Sequence, residues 1–533
     1  MSNKSIISMI KTMQSKTKEL LSEWYGSNFM LMIESLVIGV LTGFVVVGFR
    51  KAIEYVTFGR MRLYAILETK GIWYFLLWIF AVVIIAYLLG LMSKLYPMIK
   101  GSGIPQLKGS FLHRLELKTW PELPLKIITG AVGIGMGMSL GREGPSVQIG
   151  GYVGDAWEKI GKRTPMERIF LVTSGAAAGL AAAFNAPLAG AVFALEELHK
   201  HFNPILLICV MIASVSGDFI AGHFFGVGAV FKFNDLSILP LKYFPWLILL
   251  GIIITIVGDI FKRGLYLSQD LFDKSKIPVA FRPIIPMLVA VPIAIFLTDA
   301  SGGGHTLIEK LASQEYSFSL LLVILVVKLI FTGLCYGSGS SGGIFLPLLA
   351  CGALTGIIVS KALVHFQMLE PLYTLNFMIF GMAACFSAVV KAPLTGAILL
   401  LEMSGKLTHL GGLVFTCAIA FAFSTLIKSL PVYEVLLDRL LAKSKNEAEK
   451  SANKTKKEIA ELSVNPGSQL DEKLVKEIVW PKHCLIVGIG RGEEEFIPNG
   501  NTKIYAGDRL IILTDEDAMR ETIAALMLLA GIS

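Results

Sequence analysis

Apolar residues come in long blocks over the first 440 or so positions, not in the alternation of a half-buried strand or the narrow stripe of a surface helix. Clear blocks are Phe29–Gly48, Ile72–Met92, Phe244–Ile260 and Leu372–Val390. Crossing a bilayer takes roughly 20 apolar residues, so these predict membrane-spanning helices. The pattern ends near Leu441. The following "AKSKNEAEKSANKTKKE" is charged and lacks aromatics, which predicts a linker or a helical extension. Beyond it the texture is that of a soluble domain. "EIAELSV", "KHCLIVGIGR" and "RLIILT" read as strands, and "IPNGNTKIYAGD" supplies turns between them. "DEKLVKEIV" and "DEDAMRETIAALMLLA" read as helices, with Asp515 or Asp517 placed to cap the second. The predicted fold is an all-α polytopic membrane protein with a small soluble α+β domain at its C-terminus. The expected divisions are an N-terminal cytoplasmic helix (1–28), a transmembrane domain (29–442), a charged linker (443–457) and the soluble domain (458–533).

Composition agrees with this reading. Of 533 residues, 54% are hydrophobic and 17% charged, against about 25% charged in a soluble domain. The 52 glycines suit membrane helices, which tolerate glycine better than soluble ones. A net charge of +8 invites a nucleic-acid reading. The basic residues, however, gather at the N-terminus, in short loops and in Lys443–Lys457, as cytoplasmic flanks do. No nucleic-acid partner is expected. Both termini are expected in the cytoplasm of a multi-pass protein of a bacterial-type plasma membrane. The first 28 residues carry Lys4, Lys11, Lys16, Lys18, Glu19 and Glu23 without a compact apolar core and cleavage site, so no signal peptide is expected. The six cysteines stand singly without metal-ligand spacing and read as packing residues. No cofactor is expected.

The membrane part repeats itself. Lys126–Gly154 aligns without gaps on Lys328–Gly356, superposing Gly135 on Gly337, Gly141 on Gly343 and Pro145 on Pro347. After a small shift, Gly175–Glu197 aligns on Gly381–Met403, sharing "APL" and the pair Glu196 and Glu402. Two related halves in a membrane protein point to a transporter, and glycine- and proline-interrupted segments at matching positions point to its binding site. These are Gly141–Pro145 ("GREGP") and Gly343–Pro347 ("GIFLP"). Whether the halves run parallel or inverted is open at this point.

A helix that begins inside the membrane leaves its first N–H groups unpartnered, at several kcal/mol each in hydrocarbon. Its end also carries about half a positive charge. An anion placed there relieves both costs. "GSGIP" (Gly101–Pro105) has the same form as the other two segments, and "SLP" before "VYEVLLDRLL" (Ser429–Leu441) adds a fourth helix start. Four starts aimed at one point would hold an anion without a full positive charge.

"GSGIP", "GREGP" and "GGIFLP", in that order, resemble the signature motifs of the CLC family of chloride channels and chloride/proton antiporters, over about residues 30–440. The tail from about Ile459, with "IPNGNT" and "GDRLIILT", resembles a TrkA-C regulatory domain. The CLC resemblance implies an inverted repeat and a homodimer with one pathway per subunit. It also implies that Ser102 and Tyr433 offer hydroxyls, and Ile344 and Phe345 backbone amides, to a central chloride. Glu143 would then be the gate whose carboxylate takes the anion's place when ionised, and Glu197 the internal proton-transfer acid. In the repeat Glu143 meets Phe345 and Glu197 meets Met403, so both acids are additions to one half only. Glu196, shared with Glu402, reads as structural. Arg142 reads as a charge near the outer mouth or paired with a local acid, and His305 as structural. Serine at 102 favours chloride over nitrate or fluoride.

The expected function is exchange of chloride for protons, with chloride, protons and membrane lipid as partners. The alternative is a passive, voltage- or pH-gated chloride channel of the same fold. A membrane enzyme using Glu143 and Glu197 as acid and base lacks a nucleophile or metal motif, and a tail-centred function leaves the repeat unexplained. The tail is expected to sense a small cytosolic ligand or to mediate assembly.

Overall fold

The structure, a computed structural model, describes residues 3–161, 163–231, 233, 236–449, 457–465, 467–481, 484–491, 494–515 and 519–530. The chain forms two compact units, residues 1–441 and 442–533.

The first unit is helical. Among the described residues, ten helical stretches are long and apolar enough to cross a membrane. The block Phe29–Gly48 lies within one unbroken helix, Asn3–Thr69, so the backbone shows no break at residue 28. The other predicted blocks fall in the helices Ile72–Leu95, Phe244–Lys274 and Thr374–Val390. Proline in the first turn starts several helices, at Pro105, Pro165, Pro187, Pro204 and Pro393. It lacks only an N–H that a first turn does not use. Thr164 and Glu167 add a reciprocal cap, and Asn203 accepts from the amides of Ile205 and Leu206.

The two halves are joined by contacts that come in exchanged pairs. Gly141 N–H donates to the Gly343 carbonyl and Gly343 N–H to the Gly141 carbonyl, each at 2.7 Å. The Glu196 carboxylate accepts from the amides of Leu394 (3.1 Å) and Thr395 (2.7 Å), while Glu402 accepts from Leu188 (3.0 Å) and Ala189 (2.8 Å). Each acid thus caps the helix start of the opposite half. Reciprocity of this kind is what a two-fold relation produces. Within each half the corresponding helices touch through glycine. A Cβ on Gly150 would lie 2.0 Å from the Gly175 carbonyl, and one on Gly352 2.6 Å from that of Gly381. Backbones at this distance need small residues.

Two fully buried lysines repeat the relation. Lys126 Nζ donates to the carbonyls of Ile99 (2.9 Å) and Gly101 (2.8 Å). Lys328 Nζ donates to the Gly302 carbonyl (2.5 Å) and Ser139 Oγ (3.1 Å). Each lysine holds at least one carbonyl of a loop that leads into a short helix, Ile104–Phe111 in one half and His305–Ser313 in the other. Both helices start after a glycine of positive φ, Gly103 at 89° and Gly304 at 112°, a conformation glycine adopts without strain. The cysteines of this unit, Cys209, Cys335, Cys351, Cys385 and Cys417, are free and buried, as packing residues are.

The second unit carries a sheet of order β1-β4-β2-β3, with β1 Lys457–Ser463, β2 Cys484–Arg491, β3 Glu494–Phe496 and β4 Arg509–Asp515. Its pairings are antiparallel. The helix Met519–Leu529 falls where expected. Asp517 and the Asp515 side chain, the expected caps, lie outside the described residues. One expectation fails. "DEKLVKEIV" forms only a short turn, Val475–Glu477. Its amides at Glu472, Val475 and Lys476 donate instead to the carbonyls of Ile504, Thr502 and Gly500, which draws the segment out along a neighbouring loop. The tertiary partners outweigh a helix propensity worth only tenths of a kcal/mol per residue.

Candidate functional site

Three of the four predicted helix starts meet. Glu143–Gly161 begins at "GREGP", Phe345–His365 at "GGIFLP" and Ile104–Phe111 at "GSGIP". Gly141 and Gly343 are paired by the exchanged hydrogen bonds above, and Gly101 pairs with Ser341. Close approach here depends on missing side chains. A Cβ on Gly144 would lie 2.8 Å from Ser102 Cβ, and one on Gly343 3.0 Å from Gly144 N. The fourth start belongs to the helix Val432–Glu449, whose Tyr433 is buried and within electrostatic reach of both Glu143 and Glu197.

At this junction the structure concentrates polar atoms without partners. Ser102 Oγ is buried and makes no hydrogen bond, and neither does either carboxylate oxygen of Glu143, whose side chain is 1% exposed. The Glu143 carboxylate lies against its own amide and that of Leu346, in the first turn of the opposing helix. Buried polar atoms are nearly always satisfied, and these three lie together where the helix starts meet. The helix starts bring their amides to bear here, and Arg142 and Arg50 also act on the Glu143 carboxylate. Ile344 and Phe345 are fully buried at the start of their helix. The Phe345 ring packs against Phe184 and Phe386, with centroids 5.1 and 4.5 Å apart. Arg142 is half-buried beside Arg50, Glu143 and His305, and its Nε has no partner.

Glu196 and Glu197, neighbours in sequence, do different things. Glu196 caps the opposite half, as described. Glu197 lies in a π-helical turn, Ala194–His199, which follows the helix Pro187–Phe193. Such turns recur at functional sites. Its carboxylate is 1% exposed and paired with Lys108 Nζ at 2.8 Å, and Lys200 also acts on it. Lys200 itself pairs with Glu434, the residue after Tyr433.

Three features escaped the reading of the sequence. One is Lys108, whose position on the "GSGIP" helix, one turn after Ile104, was the available signal. Another is the loop Gly302–Gly304, which matches Gly101–Gly103 in φ and in its buried lysine; the glycine run was the signal. The last is Tyr336, whose hydroxyl lies beside Ser102. Among the described residues, no group of three or more His, Cys, Asp or Glu side chains could hold a metal ion.

Residues 86–425 match the family model described as voltage gated chloride channel, and residues 459–527 match that of the TrkA-C domain. The chain is 36% identical over 427 residues to the H(+)/Cl(−) exchange transporter ClcA of Yersinia pestis bv. Antiqua (strain Angola), covering 78% of this chain and 88% of that one. It is also 36% identical over 437 residues to ClcA of Salmonella newport (strain SL254), covering 79% and 90%. Among solved structures it resembles a slow cyanobacterial Cl−/H+ antiporter, with a TM-score of 0.74 and 30% identity over 78% of this chain and 99% of that one. A CLC-type fluoride/proton antiporter shares the fold, with a TM-score of 0.62 at 22% identity over 76% and 97% of the two chains. The chain therefore belongs to the voltage gated chloride channel family, the CLC family of membrane ion-transport proteins rather than enzymes, and carries a TrkA-C domain behind its membrane unit.

Proposed function

We propose that this protein exchanges chloride for protons across a membrane. The observation that carries the reading is the cluster of orphaned buried oxygens, Ser102 Oγ and both of Glu143, among three glycine-bounded helix starts. Chloride sits between Ser102, Tyr433 and the amides of Ile344 and Phe345. Helix-start amides hold it by partial charge, weakly enough to release it. The Glu143 carboxylate is an anion that reaches the amide of Leu346, one residue beyond Phe345 on the same helix start. When ionised it takes the chloride's position; when protonated it withdraws. Anion and proton then alternate at one place, which couples their fluxes. Glu197 passes the proton onward toward the cytoplasm, where both termini lie. The named activity of the relatives, exchange of H+ and Cl−, supports this reading. The working unit is a homodimer with a pathway in each subunit, and the TrkA-C domain takes a small cytosolic ligand.

A passive chloride pathway is the second reading. Its support is the Lys108–Glu197 ion pair, which ties up the acid that exchange needs. Flux in liposomes separates the two. In the wild type, a chloride gradient drives protons uphill under exchange and moves none under passive conduction. Glu143→Gln keeps chloride flux and loses proton pumping; chloride-driven pumping that persists in this variant overturns the role of Glu143.

A further inference from the structure

We infer that Tyr336 is a third hydroxyl of the anion site, a specificity-determining residue placed beside Ser102. The inference rests on the chloride position proposed above. Tyr336 ends the helix Phe318–Gly337, and the segment that follows is stitched to the Ser102 loop. Gly101 N–H donates to the Ser340 carbonyl at 3.1 Å, and Gly342 N–H to the Gly101 carbonyl at 3.0 Å. These bonds fold the tyrosine back over the loop. A Cβ on Gly101 would meet the Tyr336 hydroxyl at 3.1 Å, Cζ at 3.2 Å and Cε2 at 3.3 Å, so the ring lies across the bare glycine backbone. The hydroxyl lies next to both the amide and the side chain of Ser102, whose Oγ makes no hydrogen bond, and within electrostatic reach of Tyr433. The side chain is 5% exposed.

A phenol at this place has no packing need that a hydrocarbon would not meet. In the repeat, Tyr336 stands opposite Ile134, as Glu143 stands opposite Phe345 and Glu197 opposite Met403. Likewise Ser102 stands opposite Gly303 in the matched loops. Glu143, Ser102 and Tyr336 gather on the same junction. A phenolic O–H is a single donor of fixed reach, and a hydrogen bond to an ion is roughly twice as strong as one between neutral groups. Three hydroxyls around one position favour a small, charge-dense anion.

The test is calorimetric titration of the purified full-length protein with potassium chloride and potassium thiocyanate, for the wild type, Ser102→Ala and Tyr336→Phe. Tyr336→Phe removes one oxygen and is expected to weaken chloride binding about tenfold, the loss of one hydrogen bond to a charged group, and to weaken thiocyanate less. Chloride affinity within twofold of wild type overturns the inference. If the wild type shows no saturable chloride binding, or Ser102→Ala leaves it unchanged, the underlying anion site is what fails. Should Tyr336→Phe not yield folded protein, 3-fluorotyrosine at position 336 keeps the phenol. Its fluorine resonance should then shift with chloride and saturate at the calorimetric affinity. A resonance indifferent to chloride counts against the assignment.

Discussion

The two halves of the membrane unit share a backbone plan and differ in a handful of side chains. Gly141 and Gly343, Glu196 and Glu402, Lys126 and Lys328 do the same work in both halves, through bonds of nearly equal length. Glu143 faces Phe345, Glu197 faces Met403 and Tyr336 faces Ile134 across the repeat. What is shared builds the scaffold. The unshared Glu143, Glu197 and Tyr336 are polar and buried, and lie at the helix starts or in the turn Ala194–His199 that pairs with the "GSGIP" helix. A duplicated frame thus separates the residues that specify the fold from those that give it chemistry.

The comparison makes its largest prediction at shared glycines. Gly150→Val and Gly352→Val should each abolish recovery of monodisperse protein by size exclusion, because the added carbon meets a carbonyl at 2.0 or 2.6 Å. A well-folded variant in one half alone would break the equivalence. Next come the unshared acids. Glu197→Gln should lower proton flux about a hundredfold, the usual worth of a proton-transfer group, while chloride flux remains. That substitution also leaves Lys108 buried without its counter-charge, a cost of about 3–5 kcal/mol. Lys108→Met combined with Glu197→Gln should recover most of the stability and none of the proton flux. Recovery of both would make Glu197 a structural ion-pair partner.

Smaller effects sharpen the picture. Glu196→Ala and Glu402→Ala each strand two helix-start amides, at about 1–3 kcal/mol. The two losses should agree within about 1 kcal/mol in thermal unfolding, if the halves are equivalent as caps. The smallest effect lies in the TrkA-C domain. Arg491 grips Asp508 with two bonds, Nε to Oδ1 at 2.8 Å and Nη2 to Oδ2 at 2.7 Å. Burial pushes this carboxyl up, but the guanidinium and the Tyr505 amide outweigh it and hold it below the ordinary 3.8. A folded-state value below the unfolded one means stabilisation that is complete above the unfolded value and fades as pH falls through the folded one. Arg491 is 41% exposed, so solvent screening limits the pair to about 1 kcal/mol. Asp508→Asn should lower the domain's calorimetric transition at neutral pH and leave it unchanged in strong acid.

Much of this was legible in the sequence. Apolar blocks and matched glycines show through because bilayer thickness and backbone contact each impose one strict demand, on length and on side-chain size. Glu143 stands out as an acid between glycines in an apolar chain, present in one half only, and Ser102 was singled out through the resemblance of its motif. Other features were hidden for physical reasons. The Lys108–Glu197 pair joins residues 89 positions apart, and nothing in either segment names the other. Tyr336 looks like one more aromatic in an apolar helix until the bonds from Gly101 and Gly342 lay it over the loop. The "DEKLVKEIV" segment fails because its amides find carbonyls in residues 500–504, which local propensity cannot foresee.

The exchanged bonds between Gly141 and Gly343 carry a mechanical consequence. They work as a clasp at the point where the halves meet, and each 2.7 Å link is short enough that prising the helix starts apart severs both together. The gate proposed at Glu143 needs only a swinging side chain, a motion that leaves both bonds intact.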